Sequence, residues 1–238
     1  MTVRLRPGLA AAIAALSLAG CAPFAPERPP APPAPVAAPP DFPEAYYRQA
    51  VAEGRPVFRV DPAASLVVIE VRRAGSLARL GHDHVIASHD VGGYVAPEEG
   101  RADLYVPLAS LVVDEQKLRA EAGLDTQPTE SDIAGTRANM LEKVLEADKY
   151  PFALIRVSGA GGKDGGDLSV ALTLHGQTRT LRAPARMEAD GKRVSASGTL
   201  SFNQTDFGMT PFSLFGGAIA VRDAVDLRFT VHAVPLAP

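Results

Sequence analysis

The chain has one cysteine, Cys21, and no tryptophan in 238 residues. A lone cysteine excludes a disulfide within the chain. Aromatic residues make up only 6%. The formal net charge of -3 at pH 7 argues against the basic face that a nucleic-acid binder needs. The first apolar run, Leu9–Leu18, is too short to cross a bilayer as a stable helix. No Gly-x-Ser-x-Gly elbow occurs, so a Ser-His-Asp hydrolase lacks its usual nucleophile turn.

What is present begins with a leader. Arg4 and Arg6 precede the apolar run, and Leu18-Ala19-Gly20-Cys21 closes it. Small residues before the cut suit a signal peptidase. The tetrapeptide resembles the bacterial lipobox, which implies that Cys21 is lipidated and becomes the mature N-terminus. Ala22, rather than Asp, at the next position favours outer-membrane sorting by the enteric rule. Residues 22–43 then carry ten prolines, which removes backbone donors and fixes φ. Such a stretch is expected to be an extended spacer of up to roughly 70 Å. The organisation read from these features is a signal peptide at 1–20, a lipidated Cys and Pro-rich linker at 21–54, and a folded domain at 55–238. A short helix at Glu44–Glu53 leads into that domain.

The length suggests one domain or at most two. The domain reads as strands. In Leu168–Leu174 the residues Leu168, Val170, Leu172 and Leu174 share one parity, against Ser169, Ala171 and Thr173, the period of a half-buried strand. Gly176 supplies a turn and a second strand follows from Thr178. Val194, Ala196, Gly198, Leu200 and Phe202 share another face, as do Val225, Leu227, Phe229, Val231 and Ala233. Further strands are expected at Val57–Asp61, Ser65–Arg73, His84–Val95, Arg101–Val106 and Ala153–Gly159. Eight or nine strands spaced by turns imply a mainly β fold, an antiparallel up-and-down barrel or a sandwich. One α-helix interrupts the pattern. Thr129 and Asp132 form a capping-box start, Ile133, Met140, Leu141, Val144 and Leu145 recur at helical spacing, and Lys149-Tyr150-Pro151 ends it.

Several stretches together resemble the YceI-like family of polyisoprenoid-binding, lipocalin-like proteins. Leu172-Thr173-Leu174-His175-Gly176, with Thr178 and Arg179, resembles the family's LTLHGxTR hairpin. Phe58-x-Val60-Asp61-Pro62 and Ser65-x-Val67-x-Ile69-x-Val71 resemble its opening strands. Leu108-Ala109-Ser110-Leu111, the Leu141–Phe152 run with its Lys-Tyr-Pro element, and Asp206-Phe207-Gly208-Met209 complete the match over residues 56–234. The resemblance implies a lipocalin-like barrel of about eight strands that holds an isoprenoid lipid of quinone or polyprenyl type, faces the periplasm, and is not an enzyme. Related domains beside b-type cytochromes make a membrane redox protein a candidate partner. No cofactor is implied beyond the isoprenoid ligand.

Ligand-lining candidates follow from parity. Leu172, Leu200 and Phe202 sit on apolar faces, which line either a cavity or the core behind it. The apolar loop after Asn203, with Phe207, Met209, Phe212 and Phe215, either closes a barrel mouth against a lipid tail or caps the core. The sequence leaves open whether the barrel is hollow or filled by its own side chains.

The chain departs from the family at Leu80-Gly81-His82-Asp83-His84, a form found in a subset of members. On a strand His82 and His84 face one way, half of a metal site that Asp83 or Asp90 would extend. The other reading is a hydrogen-bonded polar turn. His175 and His232, on the polar parity of their strands, read as surface or rim residues. Three functions therefore stand side by side: an anchored isoprenoid carrier, a metal-binding or enzymatic variant built on His82, Asp83 and His84, and an envelope scaffold without a ligand.

Overall fold

Alternation and turn chemistry build an antiparallel sheet that closes on itself. The computed structural model describes residues 37–159 and 166–237; the leader, Cys21 and most of the proline spacer lie outside the described residues. After helix α1 (Glu44–Ala52) the chain lays down β1 (Phe58–Val60), β2 (Leu66–Ala74), β3 (His84–Ser88), β4 (Gly92–Ala96), β5 (Arg101–Pro107) and β6 (Val112–Val113). Helices α2 (Gln116–Glu121) and α3 (Glu130–Asn139) follow. The strands β7 (Phe152–Ser158), β8 (Gly166–Leu174), β9 (Gln177–Ala189), β10 (Val194–Asn203), β11 (Ser213–Leu214) and β12 (Ile219–Pro235) complete the described chain.

Eight strands form the closed ring, in the order β1-β4-β5-β7-β8-β9-β10-β12, with β12 returning to β1 through Phe58 opposite Pro235. β12 is 17 residues long and serves two neighbours on one edge. Its last residues pair with β1, and its first two-thirds pair with β2. β2 pairs in turn with β3, and β3 with β6. The wall therefore continues beyond the ring at one end. The corner between β1 and β2 is set by Asp61-Pro62: the Asp61 carboxylate accepts from Ala63 N at 3.1 Å, and proline opens a single helical turn.

Local chemistry explains the other boundaries. His175 and Gly176 both have positive φ, 49° and 71°, so two residues join β8 to β9 in a tight hairpin whose twist suits the strands. The expected single strand His84–Val95 is broken at His89–Val91. Just past the break, Gly93, at φ +134°, packs so close to β5 that a Cβ would lie 2.3 Å from the Asp103 carbonyl oxygen. The last strand starts at Ile219 rather than Val225, because an irregularity between Val221 and Val225 absorbs the shift in register. The capping box is formed: Thr129 Oγ1 accepts from Asp132 N, and the Asp132 carboxylate accepts from Thr129 N at 2.9 Å. The α-helix it starts stops at Asn139 and continues as one turn of π-helix, Met140–Val144, with Leu145 N reaching back five residues to Met140 O. Where one helix is expected among the strands, α2 is a second. Its six residues bury Leu118 and Arg119, too few for a helical period to show in the sequence.

The domain begins upstream of the expected boundary at residue 55. Tyr47 and Ala50 on α1 are fully buried with Val57, Tyr94 and Ala96, and Phe42 packs against that cluster. Phe42 also meets Tyr105 edge-on, with ring centroids 4.9 Å apart. The last prolines of the spacer are thus already on the barrel. Asp103, on the outer face of β5, fixes α1. It accepts from Tyr47 Oη at 2.8 Å, Arg101 Nε at 2.7 Å and Arg156 Nε at 2.8 Å. Burial alone would raise its carboxyl, but hydrogen bonds from Arg156, Tyr47 and Arg101 hold it below the ordinary range. Burial, reinforced by the carboxylate, pushes the Tyr47 phenol well up.

A depressed folded-state carboxyl stabilises the fold above the ordinary carboxylate range, and that contribution fades as pH falls through the folded value. Asp103→Ala is therefore expected to cost about 2 kcal/mol at pH 7, because it leaves the buried Tyr47 phenol and the half-buried Arg101 guanidinium without their acceptor while Arg156 stays in water, and Tyr47→Phe about 1 kcal/mol. Urea unfolding at pH 7 and pH 3 checks both: wild type should lose more stability on acidification than the Asp103 variant.

Candidate functional site

The inward face of the barrel is not filled. Leu168, Val170, Leu172 and Leu174 all point inward and are buried. Ile155 on the neighbouring strand, and Ile69, Leu227 and Phe229 on β2 and β12, also face inward and pack on the core yet are only partly buried. What they face is a cavity of about 580 Å³, within the usual size of a small-molecule site. Its lining is overwhelmingly apolar. The deep part, around Val95, Ala183 and Ala233, is sealed by buried side chains. At the other end, where β2, β3, α3 and the loop before β12 meet, Leu80 and Leu214 line the cavity while remaining 61% and 44% exposed. That end is the mouth.

Polar groups gather there: Arg73, His82, His84, Asp132, Thr136 and Asn139 all line the mouth end. His84 opens β3 and is positioned from behind. β6 ends at Val113, and Asp114 follows at φ +59° with its side chain fully buried. One carboxylate oxygen of Asp114 takes His84 Nδ1 at 2.6 Å; the other accepts from Val85 N at 3.0 Å and Arg119 Nη1 at 2.5 Å. Arg119 comes from α2 and is itself buried. It also donates to Asp83 O at 2.8 Å and to Thr126 O at 2.5 Å. Burial would raise the Asp114 carboxyl, yet the bonds from His84, Val85 and Arg119 hold it below the ordinary range. The far nitrogen of His84, Nε2, stands 3.4 Å from Thr136 Oγ1 on α3.

The residues expected at the site separate into three groups. Leu172, Leu200, Phe202, Met209 and Phe212 line the cavity. Phe207 does not: it is fully buried and meets Phe202 edge-on, with centroids 5.2 Å apart, so it belongs to the packing behind the wall. Phe215 does not either. It is 79% exposed at φ +52°, outside the cavity on the turn that follows Leu214. The expected metal set also comes apart. His82 and His84 do share a face, their ring centroids 6.0 Å apart. Asp83, however, turns away, accepts from Arg73 N at 2.8 Å and lies near Arg72 and Arg73. His89 pairs with Glu115 at 2.7 Å on the surface. Among the described residues, no three or more His, Cys, Asp or Glu side chains converge to hold a metal ion. The polar-turn alternative is nearer the structure, except that the carboxylate orienting His84 is Asp114, thirty residues on. Neither Asp114 nor Arg119 carried a local signal; only tertiary pairing brings them to His84.

Three comparisons place this geometry. A family model described as a YceI-like domain matches residues 58–233. Among solved structures, a polyisoprenoid binding domain from Saccharophagus degradans, implicated in plant cell wall breakdown, superposes with a TM-score of 0.55 at 14% identity, covering 75% of this chain and 98% of that one. BcnA from Burkholderia cenocepacia superposes with a TM-score of 0.53 at 20% identity, covering 74% and 99%. At these identities the two structures show the shared fold. No curated protein matches the chain.

The buried charge cluster behind His84 yields a direct test. Asp114→Ala is expected to destabilise by about 3–5 kcal/mol, because it leaves the Arg119 guanidinium buried without its carboxylate. His89→Ala, which removes an exposed pair, should cost less than about 1 kcal/mol. Urea midpoints of the two variants, measured side by side, provide the check.

Proposed function

The chain belongs to the YceI-like family, and from that premise we propose that it is an envelope lipoprotein whose barrel binds and carries an isoprenoid lipid of quinone or polyprenyl type. The observation that carries this reading is the cavity: an overwhelmingly apolar interior of about 580 Å³ whose charged and imidazole groups, Arg73, His82, His84 and Asp132, stand at the mouth. An isoprenoid has the same division, a long hydrocarbon tail and one polar end. Each 100 Å² of tail taken from water contributes about 2.5 kcal/mol, and no catalytic group is required. The polyisoprenoid binding of the Saccharophagus degradans domain supports the ligand class. A scaffold barrel filled by its own side chains is disfavoured by the same cavity, and with Asp83 turned to Arg73 N, the His82 and His84 pair lacks the further ligand that a metal enzyme needs.

Anchoring follows from the leader. Cys21, lipidated, holds the domain at the periplasmic face of the membrane, most simply the outer membrane given Ala22. Since Phe42 is docked on the barrel, the tether is shorter than the 22–43 stretch expected from its prolines, whose full extension would be roughly 70 Å. A mouth on so short a tether stays close to the lipid surface that supplies its ligand, and within reach of a membrane redox partner.

Two experiments bear on the parts separately. Leu227 lines the cavity and is only partly buried. Leu227→Phe should lower the isoprenoid found by mass spectrometry in organic extracts of purified protein severalfold, while changing the stability of delipidated protein by less than about 1.5 kcal/mol. Phe207→Ala, behind the wall, should cost about 3–5 kcal/mol. If wild-type extracts contain no isoprenoid and delipidated protein takes up none, the carrier reading is wrong. For the anchor, Cys21→Ser should move the protein from the membrane to the soluble periplasmic fraction with the domain still folded by circular dichroism; a variant that stays membrane-bound after a salt wash would refute lipidation as the anchor.

A further inference from the structure

The mouth carries a specific polar arrangement that a tail alone does not use. His84 Nδ1 is committed to Asp114, and Asp114 is already charge-balanced by Arg119. Nδ1, 2.6 Å from a carboxylate oxygen, holds the proton of that bond, which leaves Nε2 as the acceptor nitrogen of the imidazole. The Nε2 lone pair is then turned to the cavity lining, with the Thr136 hydroxyl at a long 3.4 Å. That nitrogen is an acceptor in want of a better donor.

The surrounding charges narrow what the donor is. Asp132 lines the mouth, and its carboxylate is held ionised below the ordinary range by bonds from Thr129. Arg73, the cation of the lining, is turned to Gly81 O at 3.1 Å and to the carboxylates of Asp83 and Asp125. An anionic head would meet Asp132 with no uncommitted guanidinium to offset it. A head that presents only carbonyl oxygens would face the lone pair of Nε2. A neutral head with an O–H satisfies both constraints.

We propose that His84, oriented by Asp114, is a head-group site that selects isoprenoids ending in a hydroxyl, whether the phenol of a prenylated hydroquinone or the alcohol of a polyprenol. The inference rests on the carrier reading, since the tail must occupy the cavity for its head to reach His84. Asp114 and Arg119 are positioning residues: they set the tautomer and hold the ring, and do not touch the lipid.

The test measures dissociation constants of delipidated full-length protein under anaerobic conditions by displacement of diphenylhexatriene, a fluorescent hydrocarbon with no head group. Four probes are compared: a prenylated benzoquinone, the same molecule reduced to its hydroquinone, a polyprenol of matched tail length, and squalene as a tail without a head. Wild type should bind the hydroquinone about tenfold more tightly than the quinone, and the polyprenol about tenfold more tightly than squalene, the worth of one well-placed hydrogen bond. Whichever hydroxyl head binds more tightly identifies the source of the shared chemistry. In His84→Ala both ratios should fall to about one, with squalene affinity within about twofold of wild type, which also reports that the variant is folded. Equal binding of all four probes by wild type, or a preference for the quinone, overturns the head-group site and leaves the carrier reading standing. Failure of every probe, squalene included, overturns the carrier reading and this site with it. The wild-type ratios decide the matter even if the His84 variant does not fold.

Discussion

Closure of the sheet is the constraint on which the rest depends. β12 returns to β1 through Phe58 and Pro235, and that short ladder turns an open sheet with two sticky edges into a ring. Once the ring is closed, the parity of each strand is no longer free. Every second residue must face the interior, and a slip by one residue would turn a strand's whole apolar set outward. Eight strands then fix the circumference and leave room inside for side chains or for one small ligand. The inward side chains here do not reach across. Valines and alanines recur on that face, at Val170, Ala183, Val194, Ala196 and Val231, and the volume they fail to fill is the cavity.

Two buried carboxylates hold this wall from opposite sides. Asp103 sits outside the ring and draws α1 onto it through Tyr47 and two arginines. Asp114 sits where the wall runs beyond the ring and ties β6, β3 and α2 together through Val85, His84 and Arg119. Both are multiply hydrogen-bonded, which offsets much of the desolvation each suffers. They differ in consequence. The bonds of Asp103 end in structure, whereas one bond of Asp114 ends on a ring that lines the cavity. A residue needed to close the end of a short strand thereby also sets which nitrogen of His84 faces a ligand.

How much of this was legible in the sequence depends on the range of the interaction. The alternation in Leu168–Leu174, the turn at His175-Gly176 and the capping box of Thr129 and Asp132 are short-range and reappear in the structure within a residue or two. The need for glycine at Gly93 is hidden in the sequence, because the close approach that demands it comes from the neighbouring strand β5. α2 was hidden because six residues hold less than two turns of period. Phe207 and Phe212 look alike in sequence, yet one is locked behind Phe202 and the other lines the cavity, a distinction made only by the path of the loop. His82 and His84 were visible as a pair. The carboxylates near them in sequence are Asp83 and Asp90, whereas the partner of His84 is Asp114. Hollowness is the least local property of all, since it is the difference between a circumference set by backbone pairing and a volume set by side chains on many strands.

That difference also bears on whether the barrel is ever empty. Cavities left in protein cores cost roughly 24 cal/mol per Å³. Applied to the whole volume of about 580 Å³, that rate gives roughly 14 kcal/mol, as large as the entire stability of a typical domain at 5–15 kcal/mol. The rate cannot apply in full, because a barrel wall is held open by its own hydrogen-bond ladders and does not lose contacts it never had. The comparison nevertheless decides a direction. An apolar lining gives water few partners, and a dry void leaves its walls without dispersion partners on one side. Collapse is barred by the ladders, which would have to break for the walls to meet. The remaining way to supply those contacts is an occupant with an apolar body, and any such occupant stabilises the fold in proportion to how well it fills the space. On this argument an apolar occupant completes the core, and the polar side chains at the mouth, His84 among them, are what the end of such an occupant would meet.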